Sequence, residues 1–360
     1  MNNKNIKDIQ SELKKYVFGQ DDLIKSLSVI AWTHQANQDR KNRGINPINN
    51  KTLIIGPSGC GKTYSVKKLA SILGTKFIEI DCSKLQGNNY TGVYHSYDMF
   101  DSAIATYGHE AVENGIIFLD EFDKTLDVYS FKRYGSRHVQ RDLLKIFEGD
   151  NIETKNHGTL NTQYMTIICA GSFYEGADAS MYNDCAKVTK MGFSQNNDSS
   201  DANDHVKFNF TIDDLIGMGH LPELMGRFAR IVNMNMLTDK DIVSILKNGE
   251  NQIREYKDQF FSMGVDLDFT DNYYNYLSKN VSISKTGFRD VNKLICDDID
   301  DIIIRLNSKI VKNVIVDVKN NDISIYFKDM SGHVLDRLNK PIQKVSKTHM
   351  PSFHIGFDLD

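Results

Sequence analysis

The sequence predicts an α/β protein: a parallel sheet flanked by helices, followed by a small, mainly α-helical domain with a β-hairpin. Three observations carry this. A short apolar, β-rich run at residues 53–55 stops at a glycine-rich loop, after which Tyr64, Val66, Leu69 and Ala70 recur at near-helical spacing. A second apolar run, residues 116–119, ends in two carboxylates, Asp120 and Glu121. Continuous apolar runs are the mark of strands buried on both faces, and such sheets bind ligands beyond the C-terminal ends of their strands. Beyond residue 236 the short apolar runs give way to helical periodicities.

A chain of 360 residues is long enough for two domains with separate cores. With 40% apolar and 25% charged residues the composition is that of a soluble globular protein. A net charge of −4 gives no global pull toward nucleic acid. No apolar run is long enough to span a bilayer, and Met1-Asn2-Asn3-Lys4 lacks a signal-peptide core. The five cysteines (Cys60, Cys82, Cys169, Cys185, Cys296) are odd in number and contain no C-x-x-C pair, so neither a disulfide framework nor a zinc module is expected. A cytoplasmic protein without membrane attachment is the expectation.

Taken in order, residues 1–15 are polar and start a helix. Tyr16-Val17-Phe18-Gly19-Gln20 forms a short apolar turn, and Asp21 or Asp22 then caps a helix carrying Leu23, Leu27, Ile30 and Ala31. Residues 34–51, rich in Asn, Gln, Lys and Arg, read as a solvated connection. Strands are expected at residues 53–55, 76–81, 115–121, 164–170 and 229–234, and an amphipathic helix at residues 138–147. Residues 84–97 carry Tyr90, Tyr94 and Tyr97, for which ordinary packing and a functional loop both remain open. Residues 194–201 are polar and of low complexity, with Met191-Gly192-Phe193 just before them as either a packing anchor or an exposed contact. Thr238-x-x-Asp241 resembles a capping box, Thr270-Asp271 opens a tyrosine-rich helix, and a third helix carries Phe288, Val291, Ile295, Ile299 and Ile302. Residues 314–316 and 323–325 read as a hairpin. The expected division is 1–236, 237–327 and a tail at 328–360, on which the weak periodicity imposes no structure.

The chemistry concentrates in two places. Gly56-Pro57-Ser58-Gly59-Cys60-Gly61-Lys62-Thr63 fits G-x-x-x-x-G-K-Ser/Thr in a strand–loop–helix context. Its glycines let successive backbone N–H groups turn inward on an anion, with the partial positive charge of a helix N-terminus behind them. Lys62 can neutralise the outer phosphate oxygens, and the Thr63 hydroxyl is placed to ligate Mg²⁺. At the third strand's end, Asp120 would hold the same Mg²⁺ and Glu121 would orient or deprotonate the attacking water. The chain is therefore expected to bind a nucleoside triphosphate.

These motifs, in their order, resemble the Clp branch of the AAA+ superfamily, and within it the ClpX-type protein unfoldases, with HslU as the nearest cousin. The resemblance runs from about residue 16 to residue 327. Tyr16-Val17-Phe18-Gly19-Gln20 resembles the Y-V-I-G-Q box that packs on adenine, which implies Val17 and Phe18, with the whole phosphate loop and Tyr64 after it, as nucleotide-binding residues. Residues 117–124 resemble I-V-Y-I-D-E-I-D-K. Val139-Gln140, Leu143-Leu144-Lys145 and Glu148-Gly149 are similar to a V-Q-Q-A-L-L-K-L-I-E-G helix. Residues 221–227 resemble I-P-E-F-I-G-R, whose arginine, here Arg227, reaches a neighbouring subunit's nucleotide. Lys285-Thr286-Gly287-Phe288-Arg289 resembles K-T-G-A-R, whose arginine, here Arg289, senses nucleotide from the small domain. Ser172, after the fourth strand, is the candidate for the polar sensor at that strand's end.

The resemblance implies ATP and Mg²⁺, a homo-hexameric ring, protein substrates threaded through its pore, and a ClpP-like peptidase as partner. Asn89-Tyr90-Thr91-Gly92 stands where the family has its G-Y-V-G pore loop, and the aromatic is kept. Lys155-Asn156-His157 stands near an R-K-H entrance loop with one charge fewer. Met191-Gly192-Phe193 falls where an I-G-F loop docks on the peptidase. With no C-x-x-C pair, a counterpart of the family's N-terminal zinc domain is not expected. A remodeller without a protease is the alternative. A nucleic-acid motor fits less well, because residues 84–97 hold one lysine and one histidine among tyrosines.

Overall fold

The computed structural model describes residues 4–85, 98–125, 133–173, 209–283 and 288–342. The chain divides into two compact units, Met1–Asp241 and Ile242–Asp360.

The first unit runs α1 (Ile6–Leu13), α2 (Asp21–Asn42), β1 (Lys51–Ile55), α3 (Lys62–Leu73), β2 (Phe77–Asp81), α4 (Asp101–Tyr107), α5 (His109–Glu113), β3 (Ile116–Asp120), α6 (Arg133–Glu148), β4 (Asn151–Thr154), β5 (Gly158–Asn161), β6 (Thr166–Gly171), α7 (Ile212–Gly217), α8 (Pro222–Met225) and β7 (Arg230–Asn233). Five strands form one sheet in the order β2-β3-β6-β1-β7, every pair parallel. Alternation along the strands loads both faces. Leu53, Ile55, Ile117, Leu119, Ile167 and Cys169 pack on one side with residues of α4 to α8; Ile54, Ile116, Phe118, Ile168 and Ala170 pack on the other with residues of α1 to α3. This is the expected sheet with helices on both faces.

Several local expectations change. Helix α2 continues to Asn42, through what reads as a solvated connection, because the polar residues His34 and Asn37 are buried and bonded. His34 Nδ1 meets Thr166 Oγ1 at 2.9 Å, and Asn37 exchanges hydrogen bonds with the backbone of Ile48. The cap position of α2 is Gln20, whose side chain is engaged elsewhere; Asp21 and Asp22 occupy the first turn instead, where their charge still opposes the helix dipole. Lys155-Asn156-His157 forms the tip of an antiparallel hairpin, β4–β5, that the sequence does not announce.

The second unit holds most of α9 (Asp239–Asn248), then α10 (Gln252–Ser262), β8 (Asp266–Phe269), α11 (Asp271–Ile283), α12 (Phe288–Arg305), β9 (Asn313–Lys319), β10 (Asp322–Lys328) and β11 (Val334–Pro341). The Thr238 capping box at the start of α9 is formed: Thr238 N donates to Asp241 Oδ2 at 2.9 Å, and Asp241 N donates back to Thr238 Oγ1 at 3.2 Å. The expected hairpin is β9–β10, turning on Asn320 (φ 52°) and Asn321 (φ 66°), the left-handed pair that a two-residue hairpin turn demands. It sits in a four-stranded sheet, β11-β10-β9-β8, richer in strands than the sequence indicates. Strand β11 lies in the tail, where the weak periodicity of the sequence predicts no element. It is anchored by Lys340, whose ammonium pairs with buried Asp298 and reaches Asp301 Oδ2 at 2.6 Å, while Tyr273 Oη donates to Asp298 Oδ2 at 2.5 Å.

Candidate active site

Strand β1 is buried along its whole length and delivers the glycine-rich loop to the C-terminal edge of the sheet. Two features of that loop require glycine. Gly61 caps α3 with φ 94°, in the left-handed region that side chains rarely adopt. At Gly56 a Cβ would stand 2.8 Å from Met234 Cβ and 3.1 Å from Cys60 Sγ. Cys60 itself is buried against Met234, Sγ to Sδ 3.6 Å, and burial pushes its thiol pKa up, so it packs the loop floor as a neutral side chain. Pro57 is half-buried, and Ser58 and Gly59 are exposed at the tip. Lys62 closes the loop, donating to Gly56 O at 2.7 Å and Pro57 O at 2.9 Å.

Thr63 Oγ1 donates to Asp120 Oδ2 at 2.9 Å, which joins the first turn of α3 to the end of β3. Asp120 Oδ1 accepts from Glu121 N at 2.9 Å. Glu121 has φ 53°, and its side chain is exposed. A non-glycine residue held in the left-handed region is uncommon and clusters at functional sites. The turn that follows, Phe122–Thr125, is closed by Lys124 N donating to Glu121 O at 2.9 Å. Lys62, Thr63, Asp120 and Glu121 are thus gathered at one edge of the sheet. Their donors suit a hard cation: one hydroxyl and one carboxylate leave room for phosphate oxygens and water, the habit of Mg²⁺ rather than of a metal caged by protein. Among the described residues no cluster of three or more His, Cys, Asp and Glu is placed to hold a metal.

Ser172, just past β6, donates through Oγ to Asp123 Oδ2 at 3.0 Å. Its partner is therefore the turn behind Glu121, and the sequence gives no sign of this clasp. The Tyr16–Gln20 segment is fixed from the far end of the unit: Gln20 Nε2 donates to Asn235 O at 2.8 Å and Asn235 N donates to Gln20 Oε1 at 2.9 Å. Val17 is buried in the core with α1 to α3, and Phe18 is half-buried. Tyr64, in the first turn of α3, is half-buried beneath Lys68, whose Nζ stands 5.4 Å from its ring centroid.

Arg227 follows α8 and is exposed. It forms an ion pair through Nη2 with Glu148 Oε1 at the end of α6. It makes no described hydrogen bond to the loop or to Thr63, Asp120 or Glu121. Arg289 lies in the first turn of α12, but its side chain is outside the described residues, as are Tyr90 and Met191-Gly192-Phe193 altogether. No helix among the described residues is long and apolar enough to cross a membrane.

A parallel sheet that carries a lysine-bearing glycine loop beside a threonine–aspartate pair defines a P-loop nucleoside triphosphatase. Residues 48–231, just over half of the chain, match the AAA domain (Cdc48 subfamily), and the chain belongs to that family of ATPases. Over most of its length the chain is also similar to ClpX proteins. It is 28% identical over 330 residues to the ATP-dependent Clp protease ATP-binding subunit ClpX of Borrelia duttonii, covering 86% of this chain and 76% of that protein. To the protein of the same name from Bacteroides fragilis it is 26% identical over 352 residues, covering 92% and 82%. With that of Porphyromonas gingivalis it shares 25% over 335 residues, covering 86% and 80%.

Proposed function

We propose that this ATPase is a protein unfoldase and translocase that works as a homo-hexameric ring and passes threaded substrates to a ClpP-like peptidase. The observation that carries the reading is the Thr63–Asp120 contact beside Lys62 and Glu121, in a chain whose relatives over most of its length are named as ATP-binding subunits of a protease.

In this reading Val17, Phe18, Gly56, Pro57, Ser58, Gly59, Cys60, Gly61, Lys62, Thr63 and Tyr64 surround ATP, with the loop N–H groups and Lys62 on its phosphates. Thr63 and Asp120 would hold Mg²⁺, which when bound offsets phosphate charge. Glu121 takes a proton from the water that attacks the γ-phosphorus; the bond to the β–γ bridging oxygen breaks, giving ADP and phosphate. Arg227 completes the site of a neighbouring protomer and Arg289 senses the nucleotide. Tyr90 grips the substrate, since an aromatic ring packs on any side chain. Met191-Gly192-Phe193 docks on the peptidase, several weak contacts summing through the ring.

The test uses a stable fluorescent protein carrying an unstructured extension. Tyr90→Ala should keep ATP turnover within about twofold while unfolding of that substrate stops. Deleting Met191-Gly192-Phe193 should spare turnover and unfolding but end degradation when a ClpP-like peptidase is added. Unfolding that survives in Tyr90→Ala would remove the translocase reading. Degradation that survives the deletion would remove the docking role.

A further inference from the structure

We propose that Glu148 is a positioning residue for Arg227, and that α6 is the splint that aims this arginine out of its own protomer. The proposal rests on the reading of Arg227 as the residue that completes a neighbour's nucleotide site.

Helix α6 touches the arginine-bearing segment at both ends. Gln140, fully buried, accepts a hydrogen bond from Leu221 N at 2.8 Å, where that segment begins. Eight residues further along α6, about 12 Å by helical rise, Glu148 holds the guanidinium where the segment ends. Between these contacts Leu224 and Met225 pack in one core with Leu143, Ile146 and Phe147 of α6. Phe228, next to the arginine, meets Phe147 edge-to-face with ring centroids 5.3 Å apart. Asn49 Nδ2 donates to Arg227 O at 2.9 Å. The backbone of Arg227 is thereby clamped, while its side chain stays 49% exposed and has one carboxylate as its partner among the described residues.

The charge arrangement gives that carboxylate a task. Lys51, buried at the start of β1, has its ammonium pKa lowered by burial and by the nearby Arg227 charge. Two cations therefore repel across this corner, and among the described residues Glu148 is the carboxylate that pairs with the guanidinium. It engages Nη2, and a guanidinium carries five N–H donors, so donors remain for an anion presented from outside. An exposed ion pair is weak, so Glu148 cannot hold Arg227 against a triphosphate. It can narrow the rotamers of a long side chain, which otherwise loses much conformational freedom on docking. The expected effect is accordingly severalfold, far below the 10³ to 10⁵ that arginine fingers supply in comparable enzymes.

The test is steady-state ATP hydrolysis by the assembled full-length protein with Glu148→Gln, Arg227→Ala and the pair combined. Glu148→Gln should lower kcat roughly three- to tenfold with KM within about twofold and the thermal midpoint within about 2 °C. In the Arg227→Ala background, where residual turnover is followed by phosphate release, Glu148→Gln should change nothing further. An unchanged or raised kcat in Glu148→Gln overturns the proposal, as does a further fall in the Arg227→Ala background. If Arg227→Ala alone leaves kcat intact, the reading of Arg227 fails and this proposal goes with it. A large loss in Arg227→Ala with none in Glu148→Gln removes the role of Glu148 alone.

Discussion

Leu53 and Leu119 lie on different strands and both stand in register with Cys169 of β6. That shared register brings the loop after β1 and the carboxylates after β3 to the same level on either side of β6. The hydrogen bond from Thr63 Oγ1 to Asp120 Oδ2 follows from it, across 57 positions of sequence. The site is therefore a product of strand alignment, and substitutions at its polar residues should separate into distinct kinetic behaviours.

Lys62→Ala should lose nucleotide binding by about a hundredfold, because the ammonium that closes the loop over Gly56 and Pro57 is removed. Glu121→Gln should bind ATP normally and hydrolyse it at least roughly 10² times more slowly. Fluorescent-nucleotide titration alongside phosphate release distinguishes the two, and equal loss of binding in both would contradict the division of roles.

Thr63→Val and Asp120→Asn should each raise the Mg²⁺ concentration needed for half-maximal turnover by about tenfold or more, whereas Thr63→Ser should stay near wild type. The measurement is ATPase rate against free Mg²⁺ at fixed ATP. A parallel drop in rate with an unshifted Mg²⁺ dependence would place these oxygens outside the cation's shell.

Two buried imidazoles set an acid limit on stability. Burial lowers the pKa of both His34 and His220 from 6.5 to about 4. His220 lies 2% exposed, its ring parallel to Phe122 at 6.0 Å, with no hydrogen-bond partner on either nitrogen among the described residues. Between pH 6.5 and about 4 the unfolded chain binds protons at these positions and the folded chain does not, so stability falls as pH falls through that window. Each histidine accounts for about 3 kcal/mol across the full window. His220→Leu should flatten the fall in thermal midpoint between pH 7 and pH 5; an unaltered slope would exclude His220 as a cause.

Lys340→Ala should destabilise the second unit by about 3–5 kcal/mol, because it strips the cation from Asp298, a carboxylate only 2% exposed. Burial raises the Asp298 pKa, and its bonds to Lys340 and Tyr273 oppose that rise. Adding Asp298→Asn should recover part of the loss by removing the stranded charge. Urea unfolding of the three variants reports this directly, and a double variant as unstable as the sum of the singles would show that the two residues do not interact.

The sheet and the phosphate loop are legible in the sequence because their physics is local. Apolar strands such as residues 116–119 are uninterrupted, and the spacing of Gly56, Gly61 and Lys62 is dictated by the anion they wrap. The contacts that fix the Tyr16–Gln20 segment and the Arg227 side chain are not local. Gln20 and Asn235 are 215 positions apart and Arg227 and Glu148 are 79 apart, and neither pair leaves a periodic trace. Strand β11 escapes notice for another reason: it is an edge strand, exposed along most of its length, so its residues show no apolar alternation. Helix α2 extends beyond its apolar positions because His34 and Asn37 are buried as bonded polar groups.

The left-handed backbone of Glu121 bears on how such an enzyme could fall silent over generations. Its φ of 53° is secured by Asp120 Oδ1 on one side and by the turn to Lys124 on the other. Glycine, asparagine and aspartate enter that conformation readily, whereas valine or isoleucine would strain it and disturb Asp120 as well. Descendants that stopped hydrolysing but still needed to bind nucleotide and assemble would therefore accumulate the first group at this position and avoid the second. The residue found there in a distant copy would record whether binding was still under selection when hydrolysis was lost.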